Sequence, residues 1–138
     1  MKLRIPATLE RLEEARAFVQ SHAETLGVSP AVVLKLDLVL EELVVNIGSY
    51  AYPDSGGDME INCTRKALDD GREVFCLSMR DWGARFDPLE AAAPDTGAGL
   101  EERGIGGLGI YLIREMAAHC EYIRHGDMNE FTVCLALD

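Results

Sequence analysis

SPAVVLKLDLVLEELVVNIGSYAYP, residues 29–53, holds a helix start, an apolar stripe and two polar groups at helical spacing. Ser29 offers a hydroxyl to an orphan backbone N–H, and Pro30 is pre-set for the first helical position. Val32, Leu36, Val39, Leu40, Leu43 and Ile47 recur at the spacing of one helix face, which predicts a helix running to about Ser49. Glu42 and Asn46 are four residues apart, so they stack one turn above the other at the edge of that stripe. At about 100° per residue this edge faces a cleft beside the core rather than the core itself. An Asn side-chain oxygen there can ligate Mg²⁺, and a nearby carboxylate can orient a hydroxyl or a water. Such pairs are also common on plain solvated helices, so the pair alone decides nothing.

Working outward, KLRIP at residues 2–6 reads as a short strand stopped by Pro6. Thr8 is placed to cap a helix whose apolar positions Leu12, Ala15, Phe18, Val19 and Ala23 precede Gly27. After the turn-rich run 52–58, Met59, Ile61 and Cys63 alternate with polar residues in a strand ending near Leu68. Asp69, Asp70 and Gly71 supply a hairpin turn, and residues 73–80 return with Phe75, Leu77 and Met79 on one face. Residues 88–104, rich in Ala, Pro and Gly, show no period. A third long helix is predicted from Leu108 to Ala118, and two closing strands at 121–125 and 131–137 are joined by the turn GDMN. The order predicts an α+β protein, one domain across residues 1–138. Its architecture is a two-layer α/β sandwich whose mixed, mostly antiparallel sheet is covered on one face by helices.

Two further segments carry chemistry. In DWGARFDP, residues 81–88, Asp81 shares a strand face with Leu77 and Met79 and therefore needs a donor at the end of an apolar face. An adenine amine satisfies that need, with Gly83 admitting a flat ring to the backbone; Asp and Gly are equally the residues of an ordinary strand exit. In RGIGGLGI, residues 103–110, glycines 104, 106, 107 and 109 run into an apolar helix. Backbone N–H groups and the helix dipole at such a mouth make a phosphate cradle. No Gly-Lys-Ser/Thr ends the run, which excludes a Walker A loop, and the preceding strand of a dinucleotide fingerprint is missing.

Composition narrows the class. Of 138 residues 48% are apolar and 27% charged, and the formal net charge is -11. An acidic surface without a Lys/Arg cluster repels nucleic-acid phosphates and anionic lipid, so neither partner is expected. No apolar run is long enough to span a bilayer, and no signal-peptide h-region is present. Cys63, Cys76, Cys120 and Cys134 show no CxxC pairing and sit in apolar runs, so they read as small buried hydrophobes rather than ligands or bridges. A cytoplasmic location follows as the expectation. His22, His119 and His125 lack metal-ligand spacing. Trp82 is expected to pack in the core.

In order and spacing, the three segments resemble the N, G1 and G2 boxes of the GHKL ATPase superfamily, whose domains share the Bergerat fold. The likeness covers nearly the whole chain, and EELVVNIGSYAYP is most similar to the anti-sigma serine/threonine kinases of bacterial partner switching. The resemblance implies ATP and Mg²⁺ as cofactors. It assigns Glu42 as general base or nucleophile-orienting carboxylate, Asn46 as the Mg²⁺ ligand and Asp81 as reader of adenine, with Gly83 beside the base. Gly104, Gly106, Gly107 and Gly109 fall at the phosphate side, and the segment before them matches an ATP lid; Arg103, just before the glycines, can meet phosphate or stay solvated. It also implies a STAS-domain anti-anti-sigma partner as substrate, a sigma factor or other client, and frequent homodimerisation. Two positions depart from the pattern: Arg85 replaces the second glycine of the G1 box, where it can act as a phosphate clamp or crowd the pocket, and Tyr50 stands where a His is usual.

Overall fold

The computed structural model describes residues 2–52, 56–91 and 105–137. Strand β1 (Lys2–Pro6) leads through a 3₁₀ turn (Leu9–Arg11) into α1 (Leu12–Thr25) and then α2 (Pro30–Asn46). A π-helical turn (Ile47–Ala51) follows, then β2 (Asp58–Ala67), β3 (Glu73–Asp81) and the short α3 (Pro88–Ala91). The chain continues with α4 (Ile105–Met116), β4 (His119–His125) and β5 (Met128–Ala136). The strands form one sheet in the order β1-β2-β3-β5-β4, and every pairing is antiparallel, so the expected mixed character is absent among the described residues.

Period-two alternation sends Met59, Ile61, Phe75, Leu77, Met79, Phe131, Val133 and Leu135 to one face, where α1, α2 and α4 cover them. Fully burying one such side chain contributes about 1.5–3 kcal/mol, so this layer organises the fold. Leu36, Leu40 and Leu43 of α2 meet it from above, with Ile110 and Ile113 of α4 beside them. The other face carries a charge row of Glu60, Arg80 and Glu130, with Arg80 Nε donating to Glu130 Oε2 at 2.6 Å, and a small apolar cluster of Val74, Cys76 and Cys134. Trp82 also leaves the core. Alternation puts it opposite Asp81, half-buried with the Arg4 guanidinium 4.1 Å above its ring.

Several expectations shift. Thr8 precedes the 3₁₀ turn and makes no side-chain cap, so α1 starts at Leu12. Ser29 does cap α2, its Oγ accepting from the Val32 N–H at 3.4 Å. α2 ends at Asn46 rather than Ser49 because the next turn widens, with Tyr52 N–H bonding back to the Ile47 carbonyl at 3.1 Å. Widened turns of this kind recur at functional sites. α4 starts at Ile105 rather than Leu108, so Gly106 and Gly107 fall in its first turn, where backbone N–H groups are unpaired, and Gly109 lies beyond it.

The cysteine reading is corrected. Cys76 and Cys134 are direct cross-strand partners in the small apolar cluster on the other face of the sheet, their Cα atoms 4.0 Å apart, and they are joined by a disulfide. Each alternates with inward-facing neighbours, a geometry that the apolar context of both residues conceals in the sequence. Cys63 and Cys120 stay reduced and buried or half-buried, and burial pushes the Cys63 thiol up to about 12.

Candidate nucleotide cleft

α2 and its widened end bring Asn46, Ile47 and Ala51 over the end of β3, where Asp81, Phe86 and Asn129 close a pocket. Asn46 and Asp81 therefore line one cavity. The pocket admits only about 20 Å³ of water-sized volume, room for roughly one water. Phe86 is one reason: it lines the pocket and stacks on Tyr50 with centroids 4.7 Å apart and planes at 16°.

On α2, Asn46 is 3% exposed; its Nδ2 donates to the Glu42 carbonyl at 2.7 Å, while its Oδ1 is buried without a partner among the described residues. Glu42 Oε2 is likewise buried and unpartnered. Burial, reinforced by the Glu41 charge, holds the Glu42 carboxyl above its ordinary value. A buried oxygen with no donor costs free energy unless something positive meets it. Asn46 Oδ1 therefore fits a hard cation of the Mg²⁺ class, which takes oxygen ligands. Among the described residues no cluster of three or more His, Cys, Asp or Glu could hold a metal ion, so such a cation would rely on phosphate oxygens and water for most of its shell.

Gly109 explains how Glu42 comes to lie there. A Cβ at that position would fall 1.9 Å from Glu42 Oε2, so α4 approaches α2 closely only because residue 109 has no side chain. Gly83 has a similar reason: a Cβ would sit 2.2 Å from the Ala51 carbonyl oxygen, which accepts instead from Ala84 N–H at 3.0 Å. Packing against the widened turn, which the sequence does not reveal, thus suffices to require glycine at 83.

Asp81 is 5% exposed. Its Oδ1 accepts from Gly83 N–H at 3.0 Å and from Asn129 Nδ2 at 2.9 Å. Desolvation raises its carboxyl above the ordinary value; those two hydrogen bonds and the Arg124 charge oppose the rise without cancelling it. Asn129, absent from the sequence expectations, is buried and joins Asp81, Ala84, Phe86, Tyr122 and Arg124. Tyr52 anchors the turn from the other side, its hydroxyl accepting from Trp82 N–H at 2.7 Å and donating to the Asp58 carbonyl at 2.8 Å.

Arg85 is exposed and does not line the pocket. Its Nη2 lies 3.4 Å from Glu90 Oε1, and its guanidinium carbon is 5.7 Å from the Tyr122 ring centre. Arg103, Gly104 and most of the expected lid fall outside the described residues.

A helix-covered antiparallel sheet with polar groups gathered between α2, the β3 exit and α4 is the arrangement of a nucleotide-binding α+β domain. The family described as "Histidine kinase-like ATPase domain" matches residues 5–135, and the chain belongs to it. The resemblance read from the three boxes holds at that level, and membership implies an ATP-binding cleft. The chain is similar to "Serine/threonine-protein kinase BtrW" of Bordetella bronchiseptica (strain ATCC BAA-588 / NCTC 13252 / RB50), 31% identical over 98 residues. That match covers 71% of this chain and 66% of the relative, just under two thirds of its length. In fold it is similar to a chain of the SiaB–SiaC complex from Pseudomonas aeruginosa, at TM-score 0.54 and 15% identity. That likeness covers 99% of this chain and 89% of the other. Among the described residues no helix is long and apolar enough to cross a membrane.

Proposed function

We propose that this chain is an ATP-dependent protein serine/threonine kinase that acts as an anti-sigma-type regulator in the cytoplasm, with a STAS-domain antagonist as its phosphoryl acceptor. The observation that carries the reading is the pair of buried oxygens on adjacent turns of α2, Glu42 Oε2 and Asn46 Oδ1, that have no partner among the described residues, with Asn46 and Asp81 lining one cavity. Similarity to a relative named as a serine/threonine-protein kinase supports the reaction class.

In this reading Asp81 accepts the adenine amine. The first turn of α4, with Gly106 and Gly107, cradles phosphate through backbone N–H groups, and Arg103 and Gly104 keep their sequence assignment to the phosphate side. Asn46 would hold Mg²⁺, which when bound would neutralise phosphate charge. Glu42 orients the acceptor hydroxyl and takes its proton as the new O–P bond forms and the bond to the β–γ bridging oxygen breaks, releasing ADP. Its burial-raised carboxyl brings it nearer the operating pH of a general base. A sigma factor or similar client is the expected binding partner of the regulator, which is read as a homodimer. Glu42→Ala is expected to abolish transfer of labelled γ-phosphate to a STAS partner while calorimetry still shows Mg-ATP binding. Transfer at the wild-type rate would remove Glu42 from the mechanism.

A second reading is a non-catalytic nucleotide- or protein-binding switch. The narrow pocket behind Phe86 and the outward Arg85 favour it. Binding of Mg-ATP without transfer to any STAS partner would select it.

A further inference from the structure

Asn129 is one of three buried polar residues among those described, with Asn46 and Asp81, and it sits directly across from Asp81 in the β3–β5 register. Its amide has one allowed orientation. Nδ2 faces two acceptors, Asp81 Oδ1 and the Ala84 carbonyl, each at 2.9 Å. Oδ1 faces three donors: the Tyr122 hydroxyl, Arg124 Nη1 at 3.1 Å and Phe86 N–H at 3.4 Å. A flipped amide would set its N–H donors against Arg124 Nη1 and Phe86 N–H and its oxygen against Asp81 Oδ1 and the Ala84 carbonyl, four of the five contacts; only the Tyr122 hydroxyl could reverse its role.

Resting on the nucleotide reading of the cleft, we propose that Asn129 is a positioning residue that makes Asp81 a one-oxygen acceptor and so sets the preference for adenine over guanine. With Asn129 and Gly83 N–H both on Oδ1, no described residue donates to Oδ2, which is left to read the base. An ionised carboxylate only accepts, so it matches the adenine 6-amino group and repels the guanine 6-oxygen. A protonated carboxyl would donate and reverse the match. The groups facing Asp81 are Arg124 and Tyr122 from β4, Tyr52 after the widened turn, Asn129 from β5 and its own Gly83 N–H. Arg124 adds a favourable charge, and the Asn129 amide and Gly83 N–H donate directly to the carboxylate. Asn129 thus holds Asp81 both in place and ionised.

The test uses the whole chain and compares ATP with GTP affinity, with Mg²⁺, from pH 5.5 to 8, so that titration of the triphosphate cancels in the ratio. Wild type is expected to prefer ATP, losing the preference only at the acid end. In Asn129→Leu the ratio at pH 7.5 is expected to fall about tenfold, as for one lost charge-assisted hydrogen bond, and the acid loss to begin at higher pH. A purely architectural role would weaken both nucleotides alike and leave the ratio and its pH limb in place, which overturns the proposal. Should Asn129→Leu fail to fold by thermal melt, Tyr122→Phe, which removes only one donor to the Asn129 oxygen, is expected to lower the ratio about two- to threefold. An unchanged ratio there overturns the proposal. Wild type that binds neither nucleotide would overturn the cleft reading itself, an outcome distinct from a preference that survives these substitutions.

Discussion

At the sheet end of the cleft Asp81 accepts two hydrogen bonds and Asn129 engages five neighbours, whereas on α2 Glu42 Oε2 and Asn46 Oδ1 lie buried with no partner among the described residues. Both ends are walled by the same apolar layer, so the difference is not one of burial. A satisfied network fixes its side chains before any ligand arrives and contributes to stability. An orphaned oxygen costs about 1–3 kcal/mol until a ligand meets it. The sheet end is therefore organised for recognition in advance, and the α2 end is left incomplete, as a centre whose remaining partners arrive with the substrate must be.

The stability of the empty chain separates the two ends, provided a reference outside both is measured first. The disulfide closes a loop with a sequence separation of 58; losing it through Cys76→Ser with Cys134→Ser is expected to cost about 4 kcal/mol by the chain-entropy relation. Urea midpoints read that cost, and nucleotide affinity of the folded variant should not change, since the bridge lies on the opposite face. Next in size, Asn129→Leu should cost about 2–3 kcal/mol, because it removes one of the two donors to Asp81 Oδ1 and takes their side-chain partner from the Ala84 carbonyl and Phe86 N–H. Asn46→Leu should act in the opposite direction, raising the stability of the empty chain by about 1 kcal/mol while abolishing its dependence on Mg²⁺ for ATP binding. Should Asn46→Leu destabilise the chain as Asn129→Leu does, the two ends are alike and the contrast fails.

The sequence displayed the α2 end more plainly than the sheet end. Glu42 and Asn46 sit at helical spacing beside a periodic stripe, and nothing non-local is needed to place them. Asp81 is legible by strand alternation, but its partner is not: GDMN reads as a turn, whereas Met128 and Asn129 already belong to β5. β5 starts three residues before the expected Phe131, and alternation back from Phe131 then puts Asn129 on the inward face, across from Asp81. Gly83 and Gly109 are visible as glycines, yet their reason is tertiary: the Ala51 carbonyl and the Glu42 carboxylate occupy the places where side chains would stand. The Cys76–Cys134 pairing escapes for the same cause, since a register across a 58-residue separation is not encoded by local spacing. Element order, the two-layer architecture and the helical face of α2 follow from periodicity alone, and so they survive intact.

The smallest expected effect tests how Asp81 is held. Its folded carboxyl is raised above the 3.8 of a solvated Asp, chiefly by burial. As pH rises past that value the unfolded chain releases the proton first while the folded chain keeps it, so the folded state binds more protons and the slope of stability with pH is negative. The contribution is fully present below 3.8 and is lost as pH climbs through the raised folded value. Asp81→Asn removes the titration, so its stability relative to wild type should grow with pH across that window and level off above it. In Asn129→Leu the carboxylate loses a donor, which extends the descending window to higher pH. Urea midpoints at half-unit steps from pH 3.5 to 7 read both differences. A difference between wild type and Asp81→Asn that shrinks as pH rises would mean that hydrogen bonds outweigh burial at Asp81. The sheet end would then be a site that stabilises its charge outright rather than one that holds it against desolvation.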